Sequence, residues 1–125
     1  MTGWIENGSP IIEMNIQGKI WKAAVDTGFN SDLELPRSLF DAVVIRYVSE
    51  GYSMLAGGLS TVQAFYQVRV PFDGQVVEAL ATFVDEETIL LGTGLLKEYV
   101  LLIDFPAGSV HLTHTSNKPR QFADN

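Results

Sequence analysis

The sequence contains no cysteine, and basic residues are scarce among its 125 positions. A chain without cysteine has neither a disulfide framework nor a thiol nucleophile, which is compatible with a cytosolic setting. Eight Lys and Arg residues stand against fifteen Asp and Glu residues, giving a formal net charge of -7. Because a negatively charged surface repels phosphates, we expect no nucleic-acid partner.

Long hydrophobic runs are also missing. The apolar stretch from Tyr99 to Ile103 is far shorter than the roughly 20 residues that a membrane-spanning helix needs. The N-terminal residues Met1 to Glu6 lack the basic start and apolar stretch of a signal peptide. We therefore expect a soluble, cytoplasmic protein with no membrane partner.

Several common functional motifs are absent or incomplete. There is no Gly-x-Ser-x-Gly, and Gly57-Gly58 lacks the Lys-Ser/Thr of a phosphate-binding loop. Gly92-Thr93-Gly94 lacks the third glycine and the βαβ surroundings of a dinucleotide site. His111 and His114 are three positions apart on a predicted strand, so they point to opposite faces and do not predict a shared metal.

The sequence is rich in short alternating β-runs separated by turn residues such as Gln17-Gly18 and Asp73-Gly74. Pro36 predicts a brief helix through Ala42, and a helical turn is expected from Gly94 to Glu98. The pattern predicts one all-β domain over residues 1–115, a sandwich or barrel, followed by a polar tail over residues 116–125. The predicted strands are Ile12–Ile16, Ile20–Val25, Leu33–Leu35, Val43–Val48, Thr61–Val70, Val76–Val84, Thr88–Leu91, Tyr99–Phe105 and Val110–Thr115.

The segment most informative about chemistry is Asp26-Thr27-Gly28, which follows the apolar strand end Ala23-Ala24-Val25. An unpaired carboxylate at the buried end of a strand is costly. A second carboxylate beside it, sharing one proton, removes that cost and makes an acid–base pair. One carboxyl oxygen then takes a proton from a water that attacks a peptide carbonyl, and the other acid protonates the carbonyl oxygen. Thr27 supplies a bracing hydroxyl, and Gly28 brings its N–H close to the carboxylate.

This motif, in the wider segment from Val25 to Pro36, resembles the retropepsin-like aspartic peptidases and is similar to their small prokaryotic members. Two further segments are similar to that family. Ile89-Leu90-Leu91-Gly92 with Leu95-Leu96 resembles the apolar segment before the family's C-terminal helix, and Leu101 to Phe105 with Gly108 and Val110 resembles its last strand pair. The resemblance covers about Ile11 to Leu112 and implies an all-β, single-lobe, retropepsin-like barrel with one short C-terminal helix.

The resemblance also implies roles for individual residues. Asp26 would be the catalytic aspartate, Thr27 would hydrogen-bond across the dimer, and Gly28 would lie beside the substrate backbone, with all three assigned to the catalytic site. Substrate-binding residues would be Asn30 in the cleft and Ala56, Gly57 and Gly58 at the tip of a flap spanning about Met54 to Val62. The chemistry uses an activated water, so no metal and no organic cofactor is expected.

Only one Asp-Thr-Gly or Asp-Ser-Gly occurs in the chain. A two-fold dimer places identical residues against each other, so a homodimer supplies the second aspartate. The expected function is aspartic endopeptidase activity on a peptide or protein substrate. Three alternatives stay open: Asp26-Thr27-Gly28 as an ordinary turn, a non-catalytic module of the same fold that binds peptides or dimerises, and an unrelated β-barrel that binds a small ligand.

Overall fold

Ten β-strands make up most of the computed structural model, which describes residues 1–54 and 57–117. Within that part of the chain, no helix is both long and apolar enough to span a membrane. The strands are β1 Thr2–Glu6, β2 Ser9–Ile16, β3 Lys19–Val25, β4 Leu33–Pro36, β5 Val44–Met54, β6 Ser60–Phe72, β7 Gln75–Val84, β8 Ile89–Leu91, β9 Tyr99–Asp104 and β10 Ser109–His114.

The helical content is small. A single turn of α-helix, α1 (Phe40–Val43), follows a 3₁₀ turn at Arg37–Leu39, as the proline at position 36 predicts. Further 3₁₀ turns lie at Thr93–Leu96 and Thr115–Asn117. The short C-terminal helix expected near Gly94 is therefore a 3₁₀ turn, because Gly94 is a poor helix former and too few residues remain before β9 for a stable α-helix.

All ten strands belong to one mixed sheet with the order β5-β6-β7-β4-β8-β3-β2-β1-β10-β9. The β3–β8 and β4–β7 pairs are parallel, and the other neighbours are antiparallel. In the described part of the chain the order has two ends, β5 and β9, which do not pair with each other. The predicted all-β fold is confirmed, whereas the predicted closed barrel is not seen in the strand pairing.

The core lies on one face of the central strands. Val25, Leu91, Leu33 and Ala81 are in register across β3, β8, β4 and β7, and all four are buried. Paired residues share a face, and successive residues alternate, so this row fixes which side chains point away from the core. The residues adjacent to this row in each strand point to the opposite face of the sheet, and the candidate site lies on that face.

Strand β1 was missed by the sequence analysis. Its residues pair with both β2 and β10, and its Gly3 lies so close to β2 that a Cβ there would collide with the Ile11 carbonyl. The signal was available in Asn7-Gly8, where both residues have positive φ angles of 51° and 82°. Such a pair is the preferred two-residue connection of a β-hairpin.

Candidate active site

Asp26 lies at the carboxyl end of β3. Its backbone N–H donates a 2.9 Å hydrogen bond to the Leu91 carbonyl, so the parallel pairing with β8 continues one residue past the strand. The segments around Asp26 and around Gly92 thus leave the sheet side by side. This places the Asp-Thr-Gly loop against the Leu-Leu-Gly segment, the two elements on which the family resemblance depends.

The Asp26 carboxylate is fixed by its own loop. Gly28 N–H donates to Asp26 Oδ1 at 2.9 Å, and Phe29 N–H donates to the Asp26 carbonyl at 3.1 Å. A Cβ on Gly28 would lie 3.3 Å from the same Oδ1, so glycine leaves the carboxylate room at this close approach. The contact expected between Gly28 and the carboxylate is present, and Asp26 itself is half-buried.

The rest of the loop is tied to the segment after β8 by three backbone hydrogen bonds, here called the latch. Gly92 N–H donates to the Asp32 carbonyl at 2.9 Å, and Thr93 N–H donates to the Phe29 carbonyl at 2.8 Å. Gly94 N–H donates to the Ser31 carbonyl at 3.1 Å. The latch requires glycine, because a Cβ at Gly92 would overlap the Ser31 carbonyl oxygen and one at Gly94 would overlap Asp32 Oδ1. These glycines serve loop packing, and no dinucleotide motif is needed to explain them.

Asp32 is a second carboxylate in the loop that sequence reasoning did not single out. Its Oδ2 accepts a 2.8 Å hydrogen bond from the Leu80 N–H of β7, in a partly buried position. The loop is therefore held from both sides, by the latch and by β7.

Replacing Asp32 with alanine should destabilise the protein by about 1.5–3 kcal/mol, because the Leu80 N–H loses a charged acceptor. Asp32→Asn keeps an acceptor of the same shape and should recover part of that loss. Urea unfolding of both variants measures the difference. Equal stability of Asp32→Ala and the wild type would contradict the assigned structural role.

The remaining predicted site residues are placed as follows. Thr27, Gly28 and Asn30 are exposed beside Asp26 on the same loop. Gly57 and Gly58 lie at the tip of the β5–β6 hairpin with positive φ angles of 86° and 82°. Ala56 lies outside the described residues. The structure therefore brings Thr27, Gly28 and Asn30 to Asp26 on one loop and puts the two glycines on a different element.

The β5–β6 hairpin is anchored at its base by an aromatic cluster. The ring of Tyr66 makes edge-to-face contacts with Phe40, Phe83 and Tyr47, with centroids 5.0–5.7 Å apart. A pocket of about 240 Å³ opens here, and its lining includes Val62, Ala64 and Tyr66 of β6 and Thr82 and Phe83 of β7. The pocket thus joins residues of the hairpin to Thr82 and Phe83 of β7.

A polar ladder crosses the same hairpin base on the outside. Arg46 donates to Gln67, Gln67 donates to Glu78, and Arg69 donates to the other oxygen of Glu78, with distances of 2.6, 2.6 and 2.8 Å. The hydrogen bond from Arg69 holds the pKa of Glu78 below its usual value. The ladder links β5, β6 and β7, so the hairpin and the sheet are joined by side chains as well as by backbone pairing.

Glu34 is a further acidic residue on the site face that the sequence analysis did not single out. In the sheet register, Ala24, Leu90, Glu34 and Thr82 form one row across β3, β8, β4 and β7. Asp26 is two residues beyond Ala24 and shares its face. Partial burial raises the pKa of Glu34, and the charges of Glu86 and Asp26 raise it further.

Metal-ligating groups do not come together in the part of the chain that the structure describes. No group of three or more His, Cys, Asp or Glu side chains there could hold a metal ion. His114 contacts Ser116 Oγ at 2.7 Å and Glu98 at 3.3 Å, whereas His111 is exposed.

Comparison with known proteins gives structural neighbours only. No family model and no curated protein matches the sequence. The chain is similar to a retropepsin-like aspartic protease from Rickettsia conorii, with a TM-score of 0.61, 20% identity, and coverage of 90% of this chain and 88% of the other. It is also similar to the simian foamy virus (mac) protease, with a TM-score of 0.53, 23% identity, and coverage of 66% and 87%.

A third neighbour is the foamy viral protease-reverse transcriptase in complex with an RNA/DNA hybrid. Its TM-score is 0.58 at 15% identity, over 74% of this chain and 13% of that one. Together these likenesses show that the chain has the retropepsin-like fold, which confirms the resemblance drawn from the Asp-Thr-Gly and Leu-Leu-Gly segments.

Proposed function

We propose that the protein is an aspartic endopeptidase whose single active site is shared by two copies of the chain. The observation that carries the proposal is the position of Asp26. Its carboxylate lies at a strand end, fixed by Gly28 N–H, in a loop latched to β8 within a retropepsin-like fold. The Gly28 contact alone would also occur in an ordinary Asx turn, so the proposal depends on the latch to β8 and on the fold.

In this proposal the loop orients one half of the reacting pair. Asp26 Oδ1 is held by Gly28, and Oδ2 accepts no hydrogen bond from the described residues, which leaves it available to the Asp26 of a second copy. The two carboxyls share a proton because two like charges in contact cannot both ionise. The ionised carboxyl removes a proton from the attacking water, and the protonated one donates to the carbonyl oxygen of the scissile bond.

Thr27 and Asn30 act beside the carboxyl pair. Both are exposed in the single chain and, in the described residues, make no hydrogen bond. In the proposed dimer the Thr27 hydroxyl braces the loop of the partner, and Asn30 contacts the substrate backbone. Their exposure supports these roles, because a surface that is polar and unpaired in one copy becomes paired in the assembly.

The β5–β6 hairpin is the proposed flap. It is long, with strands of 11 and 13 residues, and its tip carries Gly57 and Gly58. A lid of this kind excludes water and orients an extended peptide over the carboxyls. The aromatic contacts of Tyr66 hold the base of the hairpin, so the proposed lid moves from a fixed attachment to the sheet.

Strand β9 is the proposed contact with the second copy. Among the described residues it is an end strand of the sheet, so one row of its backbone groups has no strand partner there. Val100 and Leu102 of β9 are 37% and 59% exposed, and Phe105, which follows the strand, is 65% exposed. A free edge with apolar side chains is a template for pairing with another strand. Two copies related by a two-fold axis can pair their β9 edges antiparallel.

Leu102→Lys should weaken the dimer by about tenfold or more, since a central apolar contact is replaced by a charge. The matched control is Val76→Lys, which changes a valine that is 68% exposed on the inner strand β7 and should leave association unchanged. Sedimentation equilibrium of both variants measures the dissociation constants. Indistinguishable constants would remove β9 from the interface.

The test of the shared site is the dependence of peptide cleavage on protein concentration. Activity per chain should rise with concentration and level off as the dimer forms, because a lone Asp26 cannot complete the site. Concentration-independent activity, or peptide binding without cleavage at any concentration, would favour a non-catalytic module of the same fold.

A further inference from the structure

Glu34 is a charged residue whose strand neighbours are apolar apart from Thr82, its row partner on β7. It lies between Leu33 and Leu35 in β4, and its row partner on β8 is Leu90. Its side chain is half-buried on the face that carries Asp26, and its row partner Thr82 lines the pocket at the base of the β5–β6 hairpin. A core explanation is excluded, because the core residues of β4 are its two neighbours, both fully buried.

The described part of the chain supplies no partner for this carboxylate. In residues 1–54 and 57–117, Glu34 makes no hydrogen bond and no salt bridge. The charges that act on it, Glu86 and Asp26, are both negative, and the nearby Arg37 is paired with Asp85 at 3.0 Å. Burial and like charges raise the pKa of Glu34, so its ionised form costs stability in the free protein. A cation delivered by a ligand would reverse that cost.

We propose that Glu34 is a specificity-determining residue that selects a lysine or arginine side chain of the substrate peptide; this rests on the proposed peptidase function. A basic side chain has an apolar stem that can lie over Leu90 and Ala24 and a charged end that can reach Glu34. Charge-assisted hydrogen bonds of this kind are strong in a partly desolvated cleft.

The sheet spacing fixes where on the peptide the basic residue falls. Glu34 is two strands from β3, which is about 10 Å across the sheet. An extended peptide advances about 3.3 Å per residue, so the side chain above Glu34 belongs to a residue about two or three positions from the scissile bond. Because the dimer is symmetric, Glu34 occurs once on each side of that bond.

The first experiment is cleavage of a proteome-derived peptide library, with the cut sites identified by mass spectrometry. Wild type and the matched control Glu13→Gln, an exposed glutamate on β2, should enrich Lys and Arg two or three positions from the cut. Glu34→Gln should lose the enrichment, and Glu34→Lys should favour Asp and Glu instead. No enrichment in the wild type, or an unchanged pattern in Glu34→Gln, would overturn the proposal.

Matched peptides give the magnitude. For a peptide with lysine at the selected position, kcat/KM should fall about tenfold or more in Glu34→Gln, whereas a norleucine peptide should be cleaved equally by both proteins. Thermal unfolding at neutral pH should show no loss of stability in Glu34→Gln, since a disfavoured charge is removed. An equal fall for both peptides would identify a structural role and overturn the assignment.

A peptide-binding measurement tests the selectivity of Glu34 independently of whether the protein cleaves peptides. Fluorescence anisotropy measures the affinity of Asp26→Asn for apolar decapeptides that carry lysine or norleucine three positions from the central bond. Tighter binding of the lysine peptide, lost in Asp26→Asn/Glu34→Gln, supports the selectivity even if the wild type cleaves nothing. Equal affinity for the two peptides overturns it whether or not cleavage is observed.

Discussion

Replacing Asp26 with asparagine should lower kcat/KM for peptide cleavage by about a thousandfold or more, because the pair loses the group that both accepts and donates the proton. The fold should persist, since asparagine keeps an oxygen that can accept the 2.9 Å hydrogen bond from Gly28. The assay is cleavage of a fluorogenic peptide pool from acidic to neutral pH, with dimer formation checked by sedimentation.

The matched control is Asp41→Asn. Asp41 is exposed on α1 and makes no hydrogen bond or salt bridge with the described residues of the Asp26 loop, so its neutralisation should leave the rate unchanged. Equal activity of wild type and Asp26→Asn would reject the peptidase mechanism. A loss of activity in both variants would trace the effect to overall charge.

Mixing adds an observation that only a shared site produces. When Asp26→Asn is added to an equal amount of wild type and the chains exchange, the number of wild-type pairs falls to about half, by random pairing in a two-fold dimer. Activity should fall in the same proportion. Unchanged activity after exchange would show that each chain carries a complete site.

The second large effect concerns stability. Gly92→Ala should destabilise the protein by about 3 kcal/mol, because the added Cβ overlaps the Ser31 carbonyl and the contact is with backbone, which cannot rotate away. Relief requires breaking the latch between Gly92 and Asp32. Urea unfolding measures the loss, and cleavage by the folded fraction should fall as well, since the loop that orients Asp26 shifts.

The matched control for Gly92 is Gly28→Ala, compared for stability only. A Cβ at Gly28 would meet only Asp26 Oδ1, at 3.3 Å, and this side-chain atom can move. Its cost should stay below about 1 kcal/mol, as for most substitutions on a surface. Equal costs at the two positions would contradict the assigned backbone collision.

Much of the β-structure could be predicted from local patterns. Strands β2, β3, β7 and β9 alternate or lie between clear turn residues, and the turns at Gln17-Gly18 and Asp73-Gly74 have the positive φ angles that hairpin connections require. Strand β1 was missed because its small Gly3 and mixed polarity give no period of two. The same Asn-Gly rule applied at Asn7-Gly8 would have found it.

Only the part of the site that lies within the Asp-Thr-Gly motif could be predicted from the sequence. Asp26 and Gly28 follow from the strand-to-loop pattern, and their contact is present. Asp32 and Glu34 could not be assigned, because their environment depends on residues 48 and 56 positions away, Leu80 and Leu90. Alternation within Leu33-Glu34-Leu35 does indicate that Glu34 faces away from the core, but only the sheet order indicates that Asp26 shares that face.

The latch has a consequence for the order in which the molecule is completed. The donors at Gly92, Thr93 and Gly94 are made more than sixty residues after the Asp-Thr-Gly loop that they secure. A growing polypeptide on the ribosome therefore carries its reactive carboxylate for most of translation without the backbone contacts that orient it. The half-site can form only once the segment through Gly94, about three quarters of the way along these 125 residues, has been synthesised, so a product that ends before it lacks the contacts that orient Asp26.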